Sequence, residues 1–549
     1  MSRGSKRTAG VQGLIASLLV LSLCALGGQG GVCAMPDTFA VHPENPRCFV
    51  YRGEPLVLIT STEHYGAVVN TEFDYVTYLD ELAKNKLNLS RTFTFYRELE
   101  NSIRPLGYAN PLAPRPGKEI LPWLRTGPGR ARDGGLKFDL GKWNPEYFAR
   151  FKDFVGEAAR RGIIVEVTLF CNPYRTNERW TWFPCYKENN INGVGGAISE
   201  FWQFMEEHDP TVFEFQKQFV RKMVLELNEF DNIYFEICNE PRGRGPSDAA
   251  AAQRRAKWQL DLCQVIRDTE ARLPKKHLIA VNAHDIIRAY EEGGKTYITC
   301  GDTFYFADPR VDIINYHYIS ARLPARGYAL LYGGGPTSWV GNVWRFFSSR
   351  RDVAKPIVFD ENFAGVVRGH PERWAINRIE AWETIVSGGA GFDNLDWSFT
   401  THDPTGSGKE AIGDGRRLDG RALRRQLGVL ARLWRECGPE KMRPNFDLPA
   451  KAPRHCEALV ASRSDGSLYV VYLADTRRSE EGFGRPLRGK LSLGPGLARG
   501  RYDVLLLDPK TGERQKLTTV FSTEGRVELA LPQFTEDCAL LLYARERGG

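Results

Sequence analysis

The sequence predicts an α/β protein, a (β/α)8 TIM barrel followed by a small all-β sandwich domain. Short apolar strands alternate with amphipathic helices from residue 56 to about residue 437, and such alternation indicates a parallel sheet. Eight βα units favour a closed barrel over an open sheet. Beyond about residue 440 the strands continue without helical periodicity, which is typical of a separate β domain.

The eight predicted barrel strands are short and rich in β-branched and aromatic residues. Amphipathic helices are predicted between them, and the helix in residues 144–162 has Asn144 as its cap and Pro145 in its first turn. A long Pro- and Gly-rich loop is expected over about 97–142, and loops of that length are usually functional. The predicted strands are LVLITSTEH (56–64), LNLSRTF (87–93), IIVEVTLF (163–170), NIYFEIC (232–238), HLIAVNAHD (277–285), VDIINYHY (311–318), KPIVFDEN (355–362) and AGFDNLDW (390–397).

The chain is divided into a signal peptide at 1–34, a catalytic barrel at 35–440 and a β-sandwich at 441–549. A basic start, the apolar stretch LIASLLVLSLCAL and the small-residue site Val32-Cys33-Ala34 predict the signal peptide. The expected location is therefore secreted or periplasmic, and an uncleaved N-terminal anchor is the alternative. The predicted sandwich strands show no exposed aromatic row, so this domain is expected to brace the barrel.

Charge and cysteine content exclude several classes of protein. Loss of the basic residues in the leader lowers the formal charge from +7 to +4. The sequence also has no clustered basic stripe of the kind that would indicate binding to nucleic acid or to a membrane. No cysteine and histidine cluster has zinc spacing, and neither a metal nor an organic cofactor is expected. Pairing of Cys456 with Cys538, or of Cys171 with Cys185, stays open.

Two glutamates are predicted to face each other across the barrel mouth. In FEICNEP, Pro241 stops the fourth strand, so Glu240 lies at its C-terminal end, where α/β barrels keep their chemistry. Glu361 ends the seventh strand, which lies opposite the fourth in a closed eight-stranded barrel. Paired carboxylates suit glycosidic cleavage, because the leaving oxygen needs a proton while the sugar carbon needs an electron-rich group on its other face.

These motifs resemble clan A glycoside hydrolases such as family 5, and the resemblance extends over all eight strands. It implies Glu240 as general acid/base, Glu361 as nucleophile and Arg91 as the arginine that supports the nucleophile. It also implies that Asn239 binds the sugar 2-hydroxyl, that Trp397 forms the floor of the −1 subsite, and that the sixth-strand pair is His317 and Tyr318.

Several assignments have alternatives. Family members often space the sixth-strand pair as His-x-Tyr, and strand alternation would place His317 and Tyr318 on opposite faces unless a bulge intervenes. The tyrosine role could therefore belong to Tyr316, and Asp360 is a rival nucleophile. His64 either reaches the sugar or binds a neighbouring backbone group. Some of four tryptophans after the third and sixth strands are expected to line subsites, namely Trp180, Trp182, Trp339 and Trp344.

The sequence thus predicts a secreted, retaining, cellulase- or mannanase-like β-glycosidase acting on an oligo- or polysaccharide by double displacement. A catalytically inactive carbohydrate-binding barrel and a transglycosylase are the alternatives. The insertion after the second strand is expected to wall one side of the cleft and to favour an exo-acting or short-oligosaccharide enzyme. Oligomeric state and the particular glycan are not predicted.

Overall fold

The computed structural model describes most of the chain from residue 38 to residue 545. The described ranges are 38–97, 110–173, 177–241, 249–283, 288–292, 295–299, 303–319, 342–362, 373–412, 415–477 and 482–545. The chain divides into two units, Met1–Met35 and Pro36–Gly549. The predicted signal peptide lies outside the described residues, and everything below concerns the second unit.

Eight parallel strands form the barrel, one in each segment that the sequence predicts. Seven neighbouring pairs join as parallel ladders, which leave the first and second strands at the two ends of the sheet. These two are linked by the Ile59 N–H, which donates to Asn88 Oδ1 (2.9 Å), and by the Thr60 hydroxyl, which donates to the Leu89 carbonyl (2.8 Å). The predicted barrel is thereby confirmed. Its strands are Leu58–Thr62, Leu89–Phe93, Ile164–Cys171, Ile233–Asn239, Leu278–Asn282, Ile313–His317, Ile357–Asn362 and Gly391–Leu395.

A helix follows each barrel strand. Asn144 caps the second of them by accepting from the Glu146 N–H, as predicted, and Asp209 caps the third in the same way with Thr211 and Val212. A short helix, Asn177–Trp180, and a 3-10 turn, Phe201–Met205, precede the third. The eight are Tyr75–Lys84, Pro145–Arg160, Pro210–Leu227, Ala249–Glu270, Thr303–Phe306, Asn342–Ser348, Arg373–Val386 and Arg421–Cys437.

The segment after the second strand contains structure that the predicted 97–142 loop lacks. Within this segment the strands Trp123–Arg130 and Leu136–Trp143 form an antiparallel hairpin. Pro and Gly within these strands obscured their pattern, and one turn position, Gly134, has a positive φ. Phe138 exchanges backbone hydrogen bonds with Asn189 (2.8 Å) and Ile191 (3.0 Å), so the hairpin packs beside the segment that follows the third strand.

Other short strands also escaped prediction. Ala40–His42, Asn45–Tyr51 and Glu54–Leu56 form a small sheet, and its residues Phe49 and Tyr51 pack, together with the preceding Phe39, against the first residues of the barrel strands. This sheet closes the end of the barrel at which the strands begin. Two further hairpins follow the fifth and eighth strands, and their strands are Arg288–Glu292, Lys295–Thr299, Ser407–Ala411 and Arg417–Asp419.

The C-terminal region consists of a six-stranded and a three-stranded antiparallel sheet with a shared apolar core. The six-stranded sheet packs its other face on the barrel, where the rings of Trp382 and Tyr472 stack with centroids 5.1 Å apart. The strand Arg514–Ser522 was missed because its residues are largely polar. In chain order the strands are Met442–Pro444, Ala450–Lys451, Cys456–Arg463, Leu468–Asp475, Leu487–Leu493, Gly500–Leu507, Arg514–Ser522, Val527–Phe534 and Asp537–Ala544.

Within the described ranges no disulfide joins Cys171 with Cys185 or Cys456 with Cys538, so neither of the pairings that the sequence left open is present. Among the helices that the structure describes, none combines the length and the apolar character that crossing a membrane requires.

Candidate active site

Glu240 lies immediately after the fourth strand, at the C-terminal mouth of the barrel. Its backbone adopts φ +45°, a left-handed conformation that is uncommon outside glycine and recurs at functional sites. The Asn172 side chain donates to its carbonyl and helps to hold this turn. The Glu240 side chain is 15% exposed, so its carboxyl group is accessible at the mouth.

Glu361 lies on the opposite strand and is almost completely buried, with 3% of its side chain exposed. Arg91 Nη1 donates to its Oε2 (3.0 Å), and the Tyr318 hydroxyl donates to its Oε1. A register shift between Phe359 and Asn362 interrupts the ladder here, so strict side-chain alternation does not hold where the strand ends.

The two glutamates are close enough to act on one bond. One carboxyl oxygen of Glu240, one of Glu361 and a ring nitrogen of His317 all lie within 4.8 Å of one another. His317 Nδ1 is 3.0 Å from Glu240 Oε1. Retaining glycosidases place their carboxyl groups about 5–5.5 Å apart, whereas inverting ones need about 6.5–9.5 Å to admit water. The nearest oxygens of the two glutamates are therefore closer together than the gap that admits a water requires.

Arg91, from the second strand, connects the residues beneath the two glutamates. Its guanidinium is fully buried, and Nη2 donates to Glu236 Oε2 (2.6 Å) and to Asn239 Oδ1 (2.8 Å). Its Nε lies 3.2 Å from Asp360 Oδ2. A planar guanidinium holds several acceptors in fixed directions, so Arg91 sets the positions of groups from the fourth and seventh strands.

The sixth-strand pair reaches the mouth on one face, as the bulge alternative required. The ladder shifts register between Asn315 and His317, and Tyr318 has φ +53°. Both side chains consequently contact the glutamates. Tyr316 instead packs in the core against Phe346, with ring centroids 4.9 Å apart. The geometry favours Tyr318 over Tyr316 for the predicted tyrosine role.

Electrostatics keep Glu361 ionised. Burial favours the neutral acid, but the positive charges of His317, His64 and Arg91 lower the pKa of Glu361 well below its ordinary value. The pKa of His317 is raised to about 10, because Asp360 and Glu361 outweigh the effect of burial. An ionised carboxylate is the form that a nucleophile requires.

Asp360, the rival nucleophile, is engaged inside the barrel. It is fully buried, it contacts His317 Nε2 (3.2 Å), and it accepts from Asn315 Nδ2 (2.9 Å). Burial raises the pKa of Asp360 to about 6 despite Arg91 and His317. These contacts favour Glu361 over Asp360 as the nucleophile.

His64 is held behind Glu361 and is completely buried. Its Nε2 lies 3.1 Å from Asp393 Oδ2, and its Nδ1 lies 3.4 Å from Glu361 Oε2 and 3.2 Å from Arg91 Nη1. The partners of its ring are thus side chains of the site rather than the backbone group that the sequence offered as one alternative.

Asn239 ends the fourth strand and Trp397 lies just beyond the eighth, as the resemblance indicated. Asn239 Nδ2 donates to Cys171 Sγ (3.4 Å), while its oxygen is bound by Arg91. Trp397 follows the eighth strand and is 2% exposed. Both side chains are thus deeply placed, and their predicted roles toward sugar stay predictions.

The other tryptophans divide between core and surface. Trp180 is a core residue, with 2% exposure and its ring 5.3 Å from Phe204, so it does not line a subsite. Trp182 is half-buried. Trp344 is also half-buried and packs on Phe446, with ring centroids 4.4 Å apart. Trp339 lies outside the described residues.

Several polar residues of the barrel interior were missed by the sequence analysis. Glu166, Glu236 and Asn315 each lie between apolar neighbours within a strand, Asp393 is followed by Asn394, and all are fully buried. Asn315 Nδ2 donates to Glu166 Oε1 (2.7 Å), and burial beside Asp360 and Glu236 raises the pKa of Glu166 well above its ordinary value. A polar residue inside an otherwise apolar strand was the available signal.

Two groups of side chains have the close spacing that cation ligands also show. The first group is Glu236, His317 and Asp360, and the second is Glu240, His317 and Glu361. His317 contacts one carboxylate of each group, Asp360 (Nε2–Oδ1 3.2 Å) and Glu240 (Nδ1–Oε1 3.0 Å). A cation would also face the Arg91 guanidinium beside both groups. We identify none of these residues as a metal ligand.

Comparison with known proteins agrees with this geometry. Residues 126–324 match the family model described as Cellulase (glycosyl hydrolase family 5). No curated protein matches the chain.

Among solved structures, one named a glycoside hydrolase has a TM-score of 0.57 at 12% identity, covering 93% of this chain and 98% of that one. A glycoside hydrolase family 5 structure from Bacteroides vulgatus has a TM-score of 0.57 at 14% identity, covering 93% and 95%. At these identities the likeness shows the fold. The family match over residues 126–324 and the shared fold thus make this barrel similar to those of family 5 glycoside hydrolases.

Proposed function

We propose that the protein is a retaining glycoside hydrolase that cleaves β-linked glycans with Glu240 as acid/base and Glu361 as nucleophile. The observation that carries this proposal is the separation of their carboxyl oxygens, which is within 4.8 Å. An intervening water with its own hydrogen bonds needs a wider gap. Direct attack by one glutamate is therefore the chemistry that this distance favours.

In the first step Glu361 attacks the anomeric carbon while Glu240 protonates the departing oxygen. Arg91 holds Oε2 of Glu361, and Tyr318 donates to Oε1. Oε1, which faces the tyrosine, is the oxygen that attacks. Formation of the ester removes the negative charge of Glu361, and Glu240 then takes a proton from water, which hydrolyses the ester with overall retention.

The surroundings of the site bear on substrate and location. The hairpin of residues 123–143 lies beside the segment that follows the third strand, and together they form a wall on one side of the barrel mouth. Arg97 connects the parts of this wall, because it donates to Glu119 (2.7 Å), Asp133 (2.9 Å) and the Trp182 carbonyl (2.6 Å). A rigid wall on one side supports action on chain ends or short oligosaccharides. The leader sequence supports a secreted or periplasmic location for the enzyme, and the substrate class that we propose is a β-glucan or a β-mannan.

The test is hydrolysis of a panel of aryl β-glycosides and of β-glucans and β-mannans by wild type, Glu240→Ala and Glu361→Ala, with azide added. We expect both variants to lose hydrolysis. Azide should give a glycosyl azide of retained configuration with Glu240→Ala, because the covalent intermediate still forms, and of inverted configuration with Glu361→Ala.

Product analysis separates the alternatives. New glycosides formed at high acceptor concentration, in place of free sugar, would identify a transglycosylase. Binding of a glycan without any cleavage by wild type would refute the enzyme and leave a carbohydrate-binding barrel. Azide products of the opposite configurations would exchange the two roles.

A further inference from the structure

A buried histidine and aspartate lie behind the nucleophile and carry an inference that rests on the proposed function. Asp393 comes from the eighth strand and His64 follows the first. His64 Nε2 is 3.1 Å from Asp393 Oδ2, and on its other side His64 Nδ1 faces both Arg91 Nη1 (3.2 Å) and Glu361 Oε2 (3.4 Å). We propose that His64, oriented by Asp393, is a positioning residue for the Arg91–Glu361 pair and does not bind sugar.

The Asp393 carboxylate is also held by two hydrogen bonds from Thr62, in addition to its contact with the imidazole of His64. The Thr62 hydroxyl donates to its Oδ2 (2.5 Å), and the Thr62 N–H donates to its Oδ1 (3.1 Å). Because a carboxylate accepts, it keeps a hydrogen on His64 Nε2 and so leaves Nδ1 directed at the nucleophile. This arrangement sets the orientation of the ring without any contact with substrate.

The nitrogen Nδ1 can serve the pair in either protonation state. Neutral His64 accepts the second hydrogen of Arg91 Nη1, whose other hydrogen goes to Glu361 (3.0 Å). Protonated His64 donates to Glu361 Oε2 instead. Both states hold Oε2 and leave Oε1 for attack, so His64 acts through Arg91 and Glu361.

Burial supports a positioning role over sugar binding. His64 and Asp393 are fully buried, and the ring of Phe93 lies 6.1 Å from that of His64. A sugar hydroxyl would have to displace Glu361 or Arg91 to reach Nδ1. The titratable or charged groups that face or adjoin His64 are Glu63, Tyr65, Arg91, Glu361 and Asp393.

The kinetic test compares His64→Gln, His64→Ala and Asp393→Asn on the best aryl glycoside. A misplaced nucleophile costs about 100-fold in rate, so kcat should fall by that order in His64→Ala, with KM nearly unchanged and partial recovery in His64→Gln. The matched control is His277→Gln, which removes a buried imidazole from its pair with Glu270 (2.6 Å) outside the site, and its kcat should equal that of wild type. A rise in KM with unchanged kcat would show sugar binding and would overturn the proposal.

A second readout does not depend on activity. In the full chain labelled with 15N-histidine, the His64 resonances, assigned by their loss in His64→Gln, are followed against pH in wild type, Glu361→Gln and Asp393→Asn. Removing a negative neighbour at these distances should lower the His64 midpoint by about one to three pH units, while His277 stays constant. Unchanged His64 midpoints in both variants would overturn the proposed contacts. Lowered midpoints in a protein that hydrolyses no glycoside would support the contacts and overturn only the enzymatic function.

Discussion

Arg91 Nη1 donates to Glu361 Oε2 across 3.0 Å in a part of the barrel from which solvent is excluded. The same guanidinium binds Asn239 and Glu236 through Nη2. One side chain of the second strand therefore fixes residues of the fourth and the seventh.

Arg91→Lys should lower kcat/KM by about 100-fold or more, because an ammonium cannot hold Glu361 and Asn239 in two fixed directions. It should also lower the free energy of unfolding, since an ammonium leaves some of the buried carboxylate and amide oxygens that Arg91 binds without their hydrogen bonds. Steady-state kinetics and urea unfolding measure the two effects.

The control is Arg378→Lys, at a buried arginine that binds Asp537 (2.6 Å) away from the mouth. This variant should lose stability while its kcat/KM stays that of wild type. If Arg91→Lys loses only stability as well, Arg91 has no part in positioning the nucleophile.

All eight barrel strands, and the position of Glu240 and Glu361 at one mouth of the barrel, could be predicted from the sequence. Strand periodicity and the Asn-Glu-Pro motif that ends the fourth strand are both visible within short stretches of sequence. The contacts of His64 could not be predicted, since Asp393 is more than three hundred residues away and only closure of the barrel brings it near. Tyr318 could not be separated from Tyr316 either, because that choice depends on a register shift between neighbouring strands.

Tyr318→Phe should reduce kcat about 10- to 100-fold with little change in KM, because it removes a preorganised donor to Glu361 Oε1. Burial raises the pKa of Tyr318 well above its ordinary value, so the hydroxyl stays protonated and the loss should not vary between pH 5 and 9. The matched control is Tyr316→Phe on the same strand, which should keep the wild-type kcat. Equal losses in both variants would contradict the assignment of Tyr318.

Glu236 should make stability depend on pH under acidic conditions. Burial favours its neutral form, but Arg91 and His317 lower the pKa of Glu236 to about 2. A carboxylate with a depressed pKa in the folded state stabilises above its unfolded pKa of about 4.3, and this stabilisation is lost as pH falls toward 2. The urea concentration at the unfolding midpoint of wild type should therefore decrease as the pH is lowered from 4.5 to 2.

Glu236→Gln should flatten that dependence, because the amide binds no proton in this range. Urea unfolding of wild type and Glu236→Gln from pH 2.5 to 7 measures how stability depends on pH. A constant difference in stability between the two proteins above pH 6 serves as the internal control. Parallel curves across the acidic range would show that Glu236 does not carry a depressed pKa.

The C-terminal sheets should stabilise the barrel through one buried ion pair and one ring contact. Arg378 Nη2 and Nε bind Asp537 at 2.6 and 3.0 Å, and Tyr472 donates to the same carboxylate (2.9 Å) beneath the stacked Trp382. Arg378→Ala leaves Asp537 buried without its cation, so the free energy of unfolding should fall by about 3–5 kcal/mol. Activity below the unfolding transition should not change.

The double variant Arg378→Met, Asp537→Asn should recover much of that loss, because it removes the uncompensated charge and fills the volume. Urea unfolding followed by tryptophan fluorescence should show a single transition in all these proteins if the barrel and the sheets unfold together. Two transitions, with the barrel's midpoint unaffected by Arg378→Ala, would mean that the sheets do not brace the barrel. In that case polysaccharide binding by the isolated sheets becomes the function to test.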